Sequence, residues 1–132
     1  MDGAGASRRT ALVVDDSRVV RRIARRILES AGFAVAEAED GQQALIRMRE
    51  HLPDAILLDW NMPVMNGIEC LQALRAEFGA DEPPVILCTT ENEPDFILSA
   101  MEAGAQEYIM KPFDDAILLG KLEQIGLLGG DQ

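Results

Sequence analysis

Four short apolar runs, each followed by a polar or charged residue, are the strongest structural signal in this sequence. They occupy residues 11–14, 55–58, 85–88 and 108–110. The runs are mostly aliphatic and do not alternate with polar residues, which is typical of strands buried on both faces. Such strands occur in parallel sheets that helices cover on both sides. The pattern therefore predicts an α/β protein.

Amphipathic segments with helix start and stop residues separate the runs. Ser17 can cap a first helix, and Gly32 can end it. The other predicted helices lie at roughly 41–50, 68–78 and 94–103 and from Asp114 or Asp115 onward. Residues 33–38 alternate more than the other runs, as an edge strand would. Strands that alternate strictly with helices imply a parallel sheet with right-handed crossovers and helices on both faces.

The first predicted helix has an apolar face and a basic face. The apolar positions recur at helical spacing and are predicted to face the core: Val19, Val20, Ile23, Ala24, Ile27, Leu28 and Ala31. The basic positions are predicted to lie on the other face: Arg18, Arg21, Arg22, Arg25 and Arg26. A basic face of this kind is either simply solvated or docks an acidic region of a protein partner.

Chain length and cysteine usage indicate one domain without an export signal. The 132 residues suit a single domain, and no apolar stretch approaches the ~18 residues of a transmembrane helix. The polar N-terminus lacks the apolar core of a secretory signal. Cys70 and Cys88 lie in apolar surroundings without metal or redox spacing, so we expect two buried thiols. These features together predict a cytoplasmic protein.

The acidic charge is concentrated in the second part of the chain. The net charge is −11, and residues 54–132 hold 3 basic and 15 acidic side chains, against 9 and 8 in residues 1–53. Nucleic acids and anionic membranes both require clustered Lys and Arg. We therefore expect neither as a partner, whereas a basic protein partner is compatible with this charge.

The residues that follow the apolar runs are predicted to meet at one edge of the sheet. Asp15 and Asp16 follow the first run, Asp59 follows the run at 55–58, and Thr89 and Lys111 follow the last two. Parallel strands all point their carboxyl ends the same way, and ligands of open α/β sheets bind outside those ends. Residues distant in sequence are thereby expected to share one crevice.

This set of side chains suits the transfer of a phosphoryl group to a carboxylate. Two carboxylates ~4 Å apart repel by about 4 kcal/mol at an effective dielectric near 20, so a cation must compensate. The candidate ligands are oxygens, which favours Mg²⁺ over zinc. With the metal held by the Asp15–Asp16 pair, Asp59 is free to attack phosphorus, while Lys111 and Thr89 stabilise the phosphoryl oxygens.

Each of these residues also has a purely structural interpretation. Paired aspartates after a strand often cap a helix, Thr89 can simply end a strand, and Lys111 can be a surface residue. However, all of these residues follow predicted strands of the same chain, and a chance occurrence of the whole set is improbable. His51 has no acidic or metal-binding partner in the sequence pattern, and we interpret it as a surface residue. Trp60 is expected to be partly exposed, a fluorescence reporter beside Asp59.

Four segments of the sequence resemble the receiver domain of two-component response regulators. They lie at 13–17, 58–63, 88–91 and 108–113 and read VVDDS, LDWNMP, CTTE and YIMKPF. The resemblance covers about residues 9–128 and leaves 1–8 and 129–132 as tails. It implies a flavodoxin-like (βα)5 fold with five parallel strands in the order 2-1-3-4-5 and five helices on both faces. Within the family, the segments are most similar to the stand-alone chemotaxis regulators.

The resemblance assigns a role to each matching residue. Asp59 is implied to accept phosphate from a histidine kinase, with Mg²⁺ bound through Asp16, Asp59 and the main-chain carbonyl of Asn61, and with Asp15 acting through water. Thr89 and Lys111 are implied to contact the phosphoryl group. Tyr108 is implied to turn inward when Thr89 moves, and the Lys111–Pro112 bond is implied to be cis.

Hydrolysis of the phosphorylated state is implied to depend on residues beside the nucleophile. Asn61 and Glu91 match the chemotaxis pattern for these positions. Thr90 departs from it, because the family usually has Ala or Gly beside the switch threonine. A bulkier neighbour is expected to slow the access of phosphate or to restrict Tyr108.

The resemblance implies a cytoplasmic, monomeric signalling switch rather than an enzyme. Its implied partners are a histidine kinase or phosphotransfer protein and an output protein such as a flagellar motor switch component. Other receiver roles stay open: a phosphate sink, a phosphorelay intermediate, or a regulator of a kinase or transcription pathway. An aspartyl phosphatase needs a second Asp two residues after the nucleophile, where Asn61 stands. A flavodoxin-like cofactor carrier needs a Ser-, Thr- and Gly-rich phosphate loop where Asp15 and Asp16 stand.

Overall fold

The computed structural model describes residues 8–62, 65–79, 82–90 and 94–128. Within these ranges the chain forms five β-strands and five α-helices in strict alternation. The strands are β1 (Thr10–Val14), β2 (Ala34–Ala38), β3 (Ala55–Asp59), β4 (Val85–Thr89) and β5 (Glu107–Met110). The helices are α1 (Arg18–Ser30), α2 (Gly41–Glu50), α3 (Gly67–Phe78), α4 (Pro94–Glu102) and α5 (Asp115–Gln124).

The strands form one parallel sheet in the order β2-β1-β3-β4-β5. This is the predicted order 2-1-3-4-5, and β2 is an edge strand as its alternating sequence suggested. The five residues of β3 and the five of β4 are all buried. Polar residues do not alternate with apolar ones in these two strands, because both faces of the sheet are covered.

Alternate residues of each central strand supply two separate cores. One core lies between the sheet and α2, α3 and α4, where strand residues such as Leu12 and Leu58 pack on Leu71 and Leu74. The other lies beneath α1 and α5, where Val13 packs with Leu28 and Leu118. Helices thus cover both faces of the sheet, as predicted.

Side-chain caps fix the helix starts beside the carboxyl ends of the strands. The Ser17 hydroxyl accepts a hydrogen bond from the main-chain N–H of Val20 and caps α1, as predicted. Asp114 caps α5 by accepting from Ile117 N–H. Asn66 and Glu69 form a reciprocal capping box at the start of α3. These caps orient the loops that carry the candidate site.

Two predictions for the faces of α1 are wrong. Val19 and Ile23, predicted to face the core, are 67% and 44% exposed. Arg21, predicted to lie on the solvent face, is 9% exposed and is on the same stripe as the buried Ala24 and Leu28. The stripe that faces the sheet runs through positions 21, 24 and 28, which leaves 19 and 23 to one side.

Three further residues have the exposure that the sequence predicts. Cys70 and Cys88 are buried free thiols, and His51 is exposed, as expected. No helix among the described residues is long and apolar enough to cross a membrane. The predicted tails, residues 129–132 and all but the last residue of 1–8, lie outside the described ranges.

Candidate functional site

Residues at the carboxyl ends of β1, β3 and β5 meet at one edge of the sheet. The Lys111 Nζ atom donates hydrogen bonds to Asp15 Oδ2 and to Asp59 Oδ1, both at 2.8 Å. Asp15 and Asp59 are each 2% exposed. The predicted convergence of distant residues is therefore present, and the ammonium group lies between the two buried carboxylates.

Asp15 is held through its main chain as well as through its carboxylate. Its N–H donates to the Ala38 carbonyl of the edge strand at 3.1 Å. Its Oδ1 atom accepts from the Ser17 N–H at 2.8 Å. The Arg21 Nη1 atom donates to its main-chain oxygen at 2.7 Å. The first turn after β1 is thus fixed from several directions before any ligand binds.

The three aspartates form a compact group of oxygen ligands. One carboxylate oxygen from each of Asp15, Asp16 and Asp59 can be chosen so that all lie within 4.8 Å of one another. Asp16 is exposed, whereas the other two are buried. Oxygen ligands of this density, open to solvent on one side, fit a hard divalent cation that keeps several of its waters. The donor set therefore fits Mg²⁺ better than a thiolate- or imidazole-seeking metal.

The ionisation of the site is dominated by burial and by the shared lysine. Burial raises the pKa of Asp59, the Lys111 hydrogen bond lowers it, the neighbouring Asp15 charge raises it, and the net direction is upward. Burial lowers the pKa of Lys111, but its hydrogen bonds to Asp15 and Asp59 outweigh that effect and raise the pKa above its ordinary value. Lys111 therefore stays charged. The raised pKa of Asp59 means that its negative charge is not fully compensated, so an additional cation beside it would be stabilising.

The loop after β3 presents the remaining groups beside Asp59. The Asn61 side chain is exposed, and its main-chain N–H lies 3.4 Å from Asp59 Oδ1. The main-chain N–H of Trp60 donates to the Cys88 carbonyl at 2.8 Å, which joins this loop to β4. Trp60 is half-buried and packs on Phe96 of α4 with ring centroids 4.6 Å apart.

The residues predicted to respond to phosphate lie on β4 and β5 or directly after β4. Thr89 is buried at the end of β4, and Thr90 beside it is exposed. Tyr108 is half-buried on β5, with Lys121 Nζ 5.1 Å from its ring centroid. Lys121 Nζ also lies 3.1 Å from Glu107 Oε1. Glu91, predicted to modulate dephosphorylation, lies outside the described residues.

The peptide bond between Lys111 and Pro112 is cis, the isomer that the resemblance implies. The same loop helps to form a groove of about 220 Å³ next to Lys111. Its lining is mostly apolar and comes from α1, from the residue after β4 and from the loop after β5: Val20, Ile23, Thr90, Lys111, Pro112 and Phe113. The exposed side chain of Ile23 forms part of this groove.

Sequence reasoning missed two residues that shape the site. The sequence analysis predicts Arg21 on the solvent face, although its position three residues before Ala24 and seven before Leu28 places it on the core stripe. Gly67 is the other, because a Cβ atom there would lie 2.5 Å from the Asp59 carbonyl oxygen and 2.8 Å from Trp60 Cα. No signal in the sequence distinguishes this glycine from an ordinary turn residue.

Comparison with known proteins agrees with this geometry. Residues 11–123 match the family described as "Response regulator receiver domain". The chain is 41% identical over 115 residues to "Chemotaxis protein CheY" of Pseudomonas aeruginosa, covering 86% of this chain and 93% of that protein. It is 40% identical over 116 residues to "Chemotaxis protein CheY1" of Helicobacter pylori, covering 86% of this chain and 94% of that protein.

Solved structures show the same likeness. The chemotaxis protein CheY4 of Vibrio cholerae has a TM-score of 0.85 at 34% identity, covering 90% of this chain and 99% of that one. A response regulator receiver domain protein from Methanospirillum hungatei has a TM-score of 0.81 at 27% identity, covering 90% and 94%.

Proposed function

The chain belongs to the response regulator receiver domain family, and from that premise we propose that it is a phosphorylation-dependent switch in which Asp59 is the acceptor. The observation that carries the proposal is the Lys111 ammonium, which bonds to Asp15 and Asp59 in a crevice with Asp16. Residues 9–128 would form the working unit, and the two unpaired cysteines suit a reducing, cytoplasmic location.

In the proposed reaction, a carboxylate oxygen of Asp59 attacks the phosphorus of a phosphohistidine. The new O–P bond forms as the P–N bond breaks, and the departing imidazole nitrogen keeps the bonding electrons and takes a proton from solvent. Lys111 lies where it can neutralise a phosphoryl oxygen, and Thr89 ends the adjacent strand where its hydroxyl can donate to another.

A magnesium ion would be held by Asp16, Asp59 and the main-chain carbonyl of Asn61, with Asp15 acting through water. When bound, it supplies charge neutralisation for the phosphoryl oxygens. Three carboxylates in one crevice against a single ammonium leave a negative excess that favours such an ion. Asp15 already accepts from Lys111 and Ser17, which supports an indirect role for its carboxylate.

The exposed part of α1 supports a docking role in receiving phosphate. Val19 and Ile23 are exposed apolar residues beside Arg18, Arg22 and Arg26. The apolar groove next to Lys111 opens on the same side. We propose that this surface receives an acidic, partly apolar helical region of the histidine kinase or phosphotransfer protein.

The output is proposed to be a protein contact in chemotaxis, since the curated relatives above are named chemotaxis proteins. The corresponding target would be a flagellar motor switch protein, bound by the surface of α4, β5 and α5 around Tyr108. Asn61 and Glu91 would set the lifetime of the phosphorylated state, and the bulk of Thr90 would slow the access of phosphate or restrict Tyr108. Binding to such a target with and without phosphodonor separates this role from a phosphate sink or a relay intermediate.

The acceptor role is tested by incubating the protein with acetyl phosphate and Mg²⁺ and measuring the intact mass. We expect one added phosphoryl group in the wild type and none in Asp59→Asn. Asp54→Asn is the matched control, because Asp54 is exposed and accepts from the Thr10 N–H at the opposite end of β1. Equal labelling of Asp59→Asn and the wild type would refute the assignment.

A further inference from the structure

Arg21 is a buried cation that the proposed phosphoryl chemistry does not use. Its side chain is 11% exposed, and burying a guanidinium is costly unless its donors are satisfied. Its Nη1 atom donates to the Asp15 main-chain oxygen at 2.7 Å, and its Nε atom donates to Glu37 Oε1 at 2.9 Å. The arginine thus joins the turn after β1 to the edge strand β2.

Glu37 is itself anchored, so that Arg21 cannot move freely. The Arg25 Nη1 atom donates to Glu37 Oε2 at 2.7 Å, and Arg25 Nε donates to Glu29 Oε2 at 3.1 Å. The hydrogen bond from Arg25 is the main reason that the pKa of Glu37 lies below its ordinary value, with Arg21 contributing in the same direction. Glu37 is therefore a charged, fixed support for the Arg21 guanidinium.

The main-chain oxygen of Asp15, which Arg21 binds, influences the orientation of Asp16. The Asp15 carbonyl belongs to the peptide unit that leads into Asp16, so fixing its oxygen fixes the plane of that unit. Asp16 is exposed, and among the described residues its carboxylate accepts no hydrogen bond. The position of this carboxylate then depends on its backbone, which Arg21 holds.

We propose that Arg21, supported by Glu37, is a positioning residue that aims the Asp16 carboxylate at the divalent cation. This inference rests on the proposed function, since it concerns the same acidic site. A lysine cannot replace the arginine, because its single ammonium lacks the planar fork that reaches the carbonyl and the carboxylate together. Partners that orient metal ligands from outside typically change metal affinity about 10–100-fold when removed.

Electrostatics alone predicts the opposite change in Mg²⁺ affinity when Arg21 is replaced, so an experiment can separate the two explanations. Deleting a positive charge beside an acidic crevice should strengthen the binding of a cation. Loss of positioning should weaken it. The variants Arg21→Gln and Arg21→Lys therefore separate the two effects, because the first removes the charge and the second keeps it.

The experiment titrates Mg²⁺ into the purified protein and follows Trp60, the single tryptophan of the chain, which directly follows Asp59. Calorimetry provides a second readout of the same affinity. Arg25→Gln is the matched control, because Arg25 also pairs with Glu37 but does not contact Asp15. Thermal unfolding of every variant without metal reports any general loss of structure.

We expect both Arg21 variants to bind Mg²⁺ about 10-fold or more weakly, and Arg25→Gln, which removes only a support of Glu37, to weaken binding by a much smaller factor. Unchanged or tighter binding by the Arg21 variants would overturn the inference, and so would equal weakening in Arg25→Gln. Should Arg21→Gln not fold, Arg21→Lys and Glu37→Gln carry the test, with a smaller weakening expected for Glu37→Gln. Failure of the wild type to bind Mg²⁺ would overturn both this inference and the metal site itself.

Discussion

Replacing Lys111 with methionine should destabilise the metal-free protein, because it leaves two buried carboxylates facing each other. Each Lys111 contact at 2.8 Å is worth about 6 kcal/mol at an effective dielectric of 20, before the several kcal/mol that burial of the ammonium costs. Without the lysine, the carboxylates of Asp15 and Asp59, which have oxygens no more than 4.8 Å apart, repel by at least about 3.5 kcal/mol at the same dielectric. We expect a net loss of about 3–5 kcal/mol.

The loss should shrink as the pH falls. The pKa of Asp59 in the folded protein lies above its ordinary value of 3.8, chiefly because of burial. The folded state therefore keeps this proton where the unfolded chain has released it, and the contribution of Asp59 to stability falls as the pH rises through that interval. Removing Lys111 removes a group that lowers this pKa, so the interval extends upward. Acid then protonates Asp59 and relieves the repulsion.

The assay is urea unfolding of wild type and Lys111→Met without metal at about pH 7 and about pH 5. Lys121→Met is the matched control, because Lys121 pairs with Glu107 at 3.1 Å and contacts the Tyr108 ring at a more open position. That change should cost about 1 kcal/mol. If Lys111→Met is as stable as the wild type near neutral pH, or if its deficit is the same at both pH values, the electrostatic reasoning is refuted.

Three further results are expected. Gly67→Ala should cost about 1–3 kcal/mol in urea unfolding and impair labelling of Asp59, because its Cβ would meet the Asp59 carbonyl at 2.5 Å. Gly120→Ala, whose Cβ would meet no atom within 4 Å outside the backbone of its own helix, should do neither, and equal effects of the two changes would contradict this reasoning. Mg²⁺ at 100 times its dissociation constant should stabilise the fold by about 2.7 kcal/mol, and EDTA should abolish the gain, whereas stability independent of Mg²⁺ would refute the site. Burial raises the pKa of Cys70 and Cys88 to about 12, so iodoacetamide should modify them only after unfolding, and rapid labelling of the folded protein would contradict their burial.

The sheet and most of the site could be predicted because the same sequence feature specifies both. An unbroken apolar run gives a buried parallel strand, and the next residue then falls at its carboxyl edge. The pattern therefore predicts that Asp15, Asp59 and Lys111 lie together, and in the structure Lys111 bonds to both aspartates. The caps at Ser17 and Asp114 are local, and local sequence was sufficient to find them.

The faces of α1 could not be predicted in the same way, because tertiary partners decide them. Arg21 is buried because two acceptors compensate its charge. They are the main-chain oxygen of Asp15 and the carboxylate of Glu37 on β2. Helical periodicity predicts that an arginine is exposed, because the pattern contains no information about tertiary partners. Val19 and Ile23 are exposed because they lie to one side of the stripe through positions 21, 24 and 28 that faces the sheet.

The most direct test of the account is to identify the residue that carries the phosphoryl group. Wild-type protein would be phosphorylated with acetyl phosphate and Mg²⁺, reduced with borohydride to fix the acyl phosphate chemically, digested and analysed by peptide mass spectrometry. The modified side chain should be Asp59, and omission of Mg²⁺ should sharply reduce the yield. Modification at Asp15 or Asp16 instead, or the same yield without a divalent ion, would contradict the central claim.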